Sequence, residues 1–413
     1  MLNMSLLLSK IGRTFSLLAL ANFSIILIPI AYYPFVIQAI GGENFGAIVY
    51  YQAITLLLGS FVEYGFDIVG TKKLSIAKSH MEPLSFARYR DVIFTSIVKA
   101  KAILFIIAIL LYLIFLLTTE PLLQYNLVYL FPLLLLEPFI GSLWYFQAID
   151  QVSKVVLSVL VSRILVLPFI LIAVSGPEDT QIFILCLLVS SVMASCISCF
   201  FVFKSGFRWK TVSLSSSLAD LREGFGFFIS RSSVVILNKL NAVFLGIYSG
   251  GLSLAYYDLA EKLVNLCLLP FNIFNQAIFP IVAHSKDVKL TKIVLMIAFP
   301  LAIIAYVGIY GLFDYVIIFY AGLEMAPAKN IFFILGLLIP LSTLNYFLGN
   351  TYLVILEKNY LFNLSSVLAL ICYIGLVSIF AIISLLDVAA ITLIFVASTG
   401  VTLLVRIWAI WRT

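Results

Sequence analysis

The sequence predicts an all-α polytopic membrane protein of about twelve transmembrane helices. They fall into two six-helix lobes, residues 1–208 and 209–413, with both termini on the inner side. Three observations predict it. The 413 residues are 63% hydrophobic and only 11% charged, with a mean hydropathy of +1.17, more apolar surface than a water-soluble fold can cover. A membrane-spanning helix needs about 20 apolar residues, and twelve such runs lie along the chain with short connectors. The formal charge of +6 is placed asymmetrically. With the N-terminus inside, inner segments hold Lys10, Arg13, Lys72, Lys73, Lys78, Arg88, Arg90, Lys154, Lys204, Arg208, Lys210, Arg222, Lys286, Lys289, Lys292, Lys358, Arg406 and Arg412. Outer segments hold Lys329 against Glu43, Glu120, Glu178, Asp179, Glu324 and Asp387. That bias is the positive-inside pattern. Basic residues spread over many short connectors do not form a nucleic-acid surface.

Helix 1 covers residues 14–38, with Pro29 and Pro34 as bending points. Its apolar run is too long for the core of a cleaved leader and reads as retained. Gly41-Gly42-Glu43-Asn44-Phe45-Gly46 is a tight outer turn into helix 2, which ends on Glu63 and Asp67, four apart and on one face. Residues 71–90 read as an inner connector. Helix 3 (92–118) carries Lys99 and Lys101, whose stems could snorkel to the inner surface. Helix 4 (122–148) places Glu137 before Pro138 near mid-membrane and ends in Trp144-Tyr145-Phe146-Gln147, read as an interfacial anchor. Helix 5 (153–175) carries Arg163, and helix 6 (180–203) carries no charge. A Ser-rich connector, 204–223, marks the midpoint. Helix 7 (224–249) bears Arg231, Asn238, Lys239 and Asn241. Helices 9 to 12 occupy 291–319, 327–355, 360–385 and 388–410.

Helix 8 (254–283) organises the reading. Asp258, Lys262, Asn265, Asn272 and Gln276 follow at spacings of four, three, seven and four, which keeps all five on one narrow helix face, with Glu261 at its edge. Such a stripe does not face lipid. It either glues helices by hydrogen bonds or lines a water-filled path, and its run of roughly five turns favours a path.

Each charge at the centre of a span costs about 2.5–3.5 kcal/mol. Asp258 and Lys262 could neutralise one another at i,i+4. Arg163, Arg231 and Lys239 find no acid within reach on their own helices, so another helix, water or an anionic ligand must meet them. Guanidinium groups favour phosphate oxygens. The candidate path cations are therefore Arg231, Lys239, Arg163 and Lys262. The candidate polar lining is Asp258, Glu261, Asn265, Asn272, Gln276, Asn238 and Asn241, whose amides suit sugar hydroxyls. Asp258, Glu137, Glu63 and Asp67 are candidate carboxylates for a coupling ion.

Catalytic sites, cofactors and metal sites are not expected. His80 and His284, the only histidines, lie in connectors, and the five cysteines lie inside apolar runs. Gly65 to Lys72 mimics a phosphate-binding loop with its last two residues reversed, but it ends a membrane helix instead of following a strand, so no nucleotide site is read there. Gly41–Gly46 aligns with Gly250-Gly251-Leu252-Ser253-Leu254-Ala255 at a shift of 209, which hints at two parallel halves.

The N-terminal Lys-x2-Arg, the Gly-Gly-Glu-Asn-Phe-Gly turn, Tyr64-Gly65-Phe66-Asp67-x2-Gly70-Thr71 and Trp144-Tyr145-Phe146-Gln147 together resemble bacterial O-antigen flippases of the Wzx type. That family sits in the superfamily of multidrug exporters of the MATE type and the lipid II flippase. The resemblance implies two MATE-like lobes, alternating access and a Gram-negative inner membrane. It also implies an undecaprenyl-diphosphate-linked oligosaccharide as cargo, with the O-antigen polymerase and chain-length regulator as partners beside membrane lipids. An ion-coupled small-molecule exporter on the same fold is the alternative. A polymerase or ligase is disfavoured, because every outer loop is short.

Overall fold

A computed structural model describes residues 27–119, 122–123, 126–285 and 289–412. All regular structure among them is helical. In chain order the elements are α1 (Leu27–Ile40), α2 (Gly42–Glu63), α3 (Phe66–His80), α4 (Pro83–Thr118), a 3-10 turn (Asn126–Leu135), α5 (Leu136–Ile140) and α6 (Leu143–Ala148). Then follow α7 (Ser153–Ala173), α8 (Thr180–Lys204), α9 (Leu214–Ser285), α10 (Lys289–Ala321), α11 (Ala328–Leu335), α12 (Leu338–Tyr346), a π-helical turn (Phe347–Leu353), α13 (Asn359–Ile382) and α14 (Val388–Trp411). Ten helices among the described residues are long and apolar enough to cross a membrane. Expected helices 7 and 8 count there as one, and expected helix 1 enters only through Leu27–Ile40.

The helix ends follow local chemistry. Pro83 occupies the first turn of α4 behind an extended Glu82, the position where a missing N–H costs nothing. Asp387 caps α14 by accepting the Ala390 N–H at 2.7 Å. Between α2 and α3 the chain steps through positive φ at Tyr64 and Gly65. Gly65 is needed there twice, since a Cβ would also press within 3.1 Å of Phe227 and Phe228.

Three expectations are corrected. Residues 71–90 are not a loose connector: α3 runs to His80 and α4 starts at Pro83. Val69, Gly70, Leu74 and Ala77 are buried at helical spacing while Lys72, Ser75 and Lys78 face out, so the segment is an amphipathic helix. The connector at 204–223 shrinks likewise, because α9 already begins at Leu214. The aromatic end of helix 4 is not an interfacial anchor. Gly141 and Ser142 interrupt that helix, and the short α6 turns Trp144, Tyr145 and Phe146 into the core, at most 2% exposed. Phe94 sits among Trp144, Tyr145 and Phe207 at centroid distances of 5.6, 5.0 and 4.7 Å.

α9 spans 72 residues. A straight helix of that length would measure on the order of 100 Å, several times the ~30 Å hydrocarbon layer. Gly250 (φ 78°, ψ 179°) supplies the non-helical step.

The chain forms two compact units. Unit 1 takes Ile54–Ser232 with the described residues up to Tyr32, and unit 2 takes Tyr33–Ala53 with Ser233–Thr413. In unit 1 the segment between α8 and α9 is strapped along α4. Arg90 donates to the Ser205 and Gly206 carbonyls at 3.2 and 2.9 Å. Asp91 Oδ2 accepts from Arg208 N, Thr95 Oγ1 accepts from Lys210 N, and Lys99 Nζ donates to the Val212 carbonyl at 2.7 Å. Positions 91, 95 and 99 recur every fourth residue, so one face of α4 holds most of the strap, with Arg90 beside it.

Candidate functional site

In unit 2 the predicted stripe rides on the second half of α9, a few residues past the Gly250 step. Asp258 is 4% exposed, and its Oδ1 pairs with Lys262 Nζ at 3.3 Å one turn along the same helix. The pair has the favoured order, acid toward the helix N-terminus. Lys262 Nζ also lies 5.8 Å from the Tyr33 ring centre. Lys239 and Glu261 act electrostatically on Asp258, so two acids and two lysines share one neighbourhood, with Asp258 its buried member. Asp258 Oδ2 is buried without a hydrogen-bond partner, as is the neighbouring Tyr257 hydroxyl. Asn241, fully buried, accepts the Tyr373 hydroxyl at 3.0 Å through Oδ1 while its Nδ2 has no hydrogen-bond partner. Further along, Gln276 Nε2 donates to Asn272 Oδ1 at 3.1 Å, a second i,i+4 pair on the stripe. Asn238 and Asn265 are half-buried. A buried carboxylate paired with a lysine, one oxygen without a hydrogen-bond partner, is a polar site in an apolar protein, not a lipid-facing surface.

Unit 1 carries the other predicted residues. Arg163 on α7 and Glu137 on α5 are half-buried. Glu63 closes α2, Asp67 lies in the first turn of α3, and the two act electrostatically on Lys101 of α4. Lys101 does not snorkel: it is 3% exposed and its Nζ donates to the Pro138 carbonyl at 2.9 Å. The Arg231 side chain lies outside the described residues.

Arg406, read as an inner-side charge near the end of the last helix, is 6% exposed. Its Nη1 donates to the Asn345 carbonyl at 2.6 Å, its Nε to Ser365 Oγ at 3.1 Å, and its guanidinium lies 4.6 Å from the Phe362 ring centre. Gly349, in the π-helical turn, leaves room for the guanidinium, with which a Cβ would collide. No local pattern marks Arg406, because its partners come from α12 and α13. Lys101 did leave a trace: two carboxylates four apart in the same half of the membrane call for a cation.

A cleft of about 320 Å³ in unit 1 is lined by Lys72, Lys73, Ile76, Ala77, His80, Met81, Tyr89 and Glu223, none of them from the predicted set. Lys73 within it is already held at 2.7 Å by both Asp220 and Glu223. Among the described residues no group of three or more His, Cys, Asp or Glu side chains could hold a metal ion.

Residues 11–286 match the family described as "Polysaccharide biosynthesis protein". A "Putative O-antigen transporter" of Escherichia coli (strain K12) is 28% identical over 401 residues, covering 93% of each chain. A protein of the same name from Shigella dysenteriae is 25% identical over 275 residues, covering 64% of this chain and 65% of its own. Among solved structures, the lipid II flippase MurJ in its inward closed conformation superposes with a TM-score of 0.73 at 13% identity, over 96% of this chain and 87% of that one. An inward-facing multidrug resistance transporter of the MATE family gives 0.69 at 12% identity, over 97% and 98%. At such identities the likeness is one of fold. With ten membrane-length helices among its described residues and two thirds of its sequence matched, this multi-pass membrane protein belongs to the polysaccharide biosynthesis protein family.

Proposed function

We propose that the chain is a transporter, not an enzyme: an O-antigen flippase of a bacterial inner membrane. Its cargo is an undecaprenyl-diphosphate-linked repeat unit, moved from the cytoplasmic to the periplasmic leaflet by alternating access. On this reading about twelve helices form lobes 1–208 and 209–413, with both termini inside. The carrying observation is the full-length relationship to a protein named as an O-antigen transporter, over 93% of both chains. The lysine-and-carboxylate cluster on α9 supports it, since a diphosphate crossing hydrocarbon needs fixed cations and its sugars need amides. Arg231, Lys239, Arg163 and Lys262 would meet the diphosphate as it crosses. Asn238, Asn241, Asn265, Asn272, Gln276 and Glu261 would meet sugar hydroxyls. Asp258, Glu137, Glu63 and Asp67 are the carboxylates available to a coupling ion. The polymerase and chain-length regulator would act on the product.

The test uses cells whose only copy carries Arg231→Ala or Arg231→Lys at matched protein levels. Loss of surface polymer, with lipid-linked repeat units trapped in the cytoplasmic leaflet and partial rescue by lysine, is expected. Unjoined repeat units reaching the periplasm would instead indicate a polymerase. Normal polymer would remove Arg231 from the path.

A further inference from the structure

We infer that lysines beside the membrane carboxylates act as tethered counter-cations: Lys262 at Asp258, and Lys101 at Glu63 and Asp67. Each ammonium fills the place that an exchangeable sodium or potassium ion would take. Of the carboxylates that the transporter reading offers to a coupling ion, Asp258, Glu63 and Asp67 are then closed to either metal. The inference depends on the transporter reading only in giving the cation a role; whether a metal binds is measured without transport.

The geometry is most complete at Asp258. Its Oδ1 holds Lys262 Nζ at 3.3 Å, and the Tyr33 ring faces the same ammonium at 5.8 Å. The charges acting on Asp258 are Lys262 and Lys239 against Glu261, so the neighbourhood with Asp258 itself is formally neutral. A metal ion entering it would leave one uncompensated positive charge in a low-dielectric interior, which is strongly unfavourable. The lysine cannot diffuse away, because it sits one turn along the same helix. In unit 1 the same solution arises from different elements. Lys101, on α4, fixes its ammonium on the Pro138 carbonyl at 2.9 Å and lies in the field of Glu63 and Asp67. Each unit thus sets a lysine of the chain in the field of a membrane carboxylate.

If the ammonium is a stand-in, removing it creates a metal site. Asp258 would then present Oδ1 freed of its partner and Oδ2, which has no hydrogen-bond partner, to whatever cation is available. The experiment measures thermal unfolding of the full-length protein in lipid nanodiscs, in sodium, potassium or N-methylglucamine chloride at equal ionic strength, together with binding of radioactive sodium. Wild type is expected to unfold at one temperature in all three salts and to bind no sodium. Lys262→Gln is expected to gain a sodium-dependent rise of about 2 °C or more, and Lys262→Gln with Asp258→Asn to lose it. Lys101→Gln repeats the test at Glu63 and Asp67 and carries it alone where Lys262→Gln does not fold. A sodium or potassium response in wild type overturns the inference. So does a folded lysine variant that responds to neither metal. Failure of the flippase reading would appear in cargo assays and leave these salt responses unchanged.

Discussion

Glu43 Oε2 accepts the backbone N–H of Leu252 at 3.0 Å, across a separation of 209 residues. That number equals the shift relating the two glycine-rich turns in the sequence. Within unit 2 the turns pack on each other: a Cβ at Gly46 would collide with the Gly251 carbonyl, and one at Gly251 would come within 2.5 Å of the Glu43 carbonyl. Gly46→Ala should therefore lower the unfolding temperature by several degrees, since the obstacle is backbone and cannot rotate away. Gly375→Ala, where a Cβ meets nothing within 4 Å, is the matched control. It should be neutral or slightly stabilising in the same scan.

Arg406 and Gly349 should fail together. Arg406→Lys keeps the charge but cannot reach the Asn345 carbonyl and Ser365 Oγ at once, as the guanidinium does at 2.6 and 3.1 Å. A loss of about 2–4 kcal/mol is expected, in the range for leaving buried hydrogen-bonded groups unpaired. Gly349→Ala displaces the same guanidinium and should give a similar loss. The double variant should cost much less than the sum of the two singles. Thermal scanning of all three variants checks the cycle.

Asp220 and Glu223 both hold Lys73 at 2.7 Å, yet they are not equivalent. Asp220 is 4% exposed and also accepts from Ser96 Oγ at 2.5 Å, whereas the Glu223 side chain is 44% exposed. Asp220→Ala should cost about 2–4 kcal/mol. It should also loosen the strap, seen as faster tryptic cleavage after Arg208 and Lys210. Glu223→Ala should cost under about 1 kcal/mol and leave the cleavage rate unchanged.

Hydropathy marks 153–175, 180–203, 360–385 and 388–410, and Ser153–Ala173, Thr180–Lys204, Asn359–Ile382 and Val388–Trp411 occupy them. Those spans are legible because a lipid-exposed helix must be apolar along its whole length. The stripe on α9 was legible for a related reason: its Asp258–Lys262 and Asn272–Gln276 partners lie one turn apart on a single helix. The partners of Lys101 and Arg406 are not legible, because charge placement says where a residue sits along a helix, not which neighbour faces it. Trp144 was misread because an aromatic at a helix end looks the same whether it anchors at the interface or, after a break at Gly141, turns inward. The strap on α4 was hidden in the same way, since most of its hydrogen bonds join side chains to backbone groups more than a hundred residues away.

The most direct test of the account is leaflet exchange by the purified protein. Proteoliposomes would carry an undecaprenyl-diphosphate-linked oligosaccharide, with a membrane-impermeant glycosidase added outside. The account predicts that wild type exposes the inner-leaflet pool without added nucleotide. Lys239→Ala and Arg231→Ala should slow exposure at least tenfold, a transition-state loss of about 1.4 kcal/mol. An inner pool that stays protected in the presence of folded wild-type protein would contradict it.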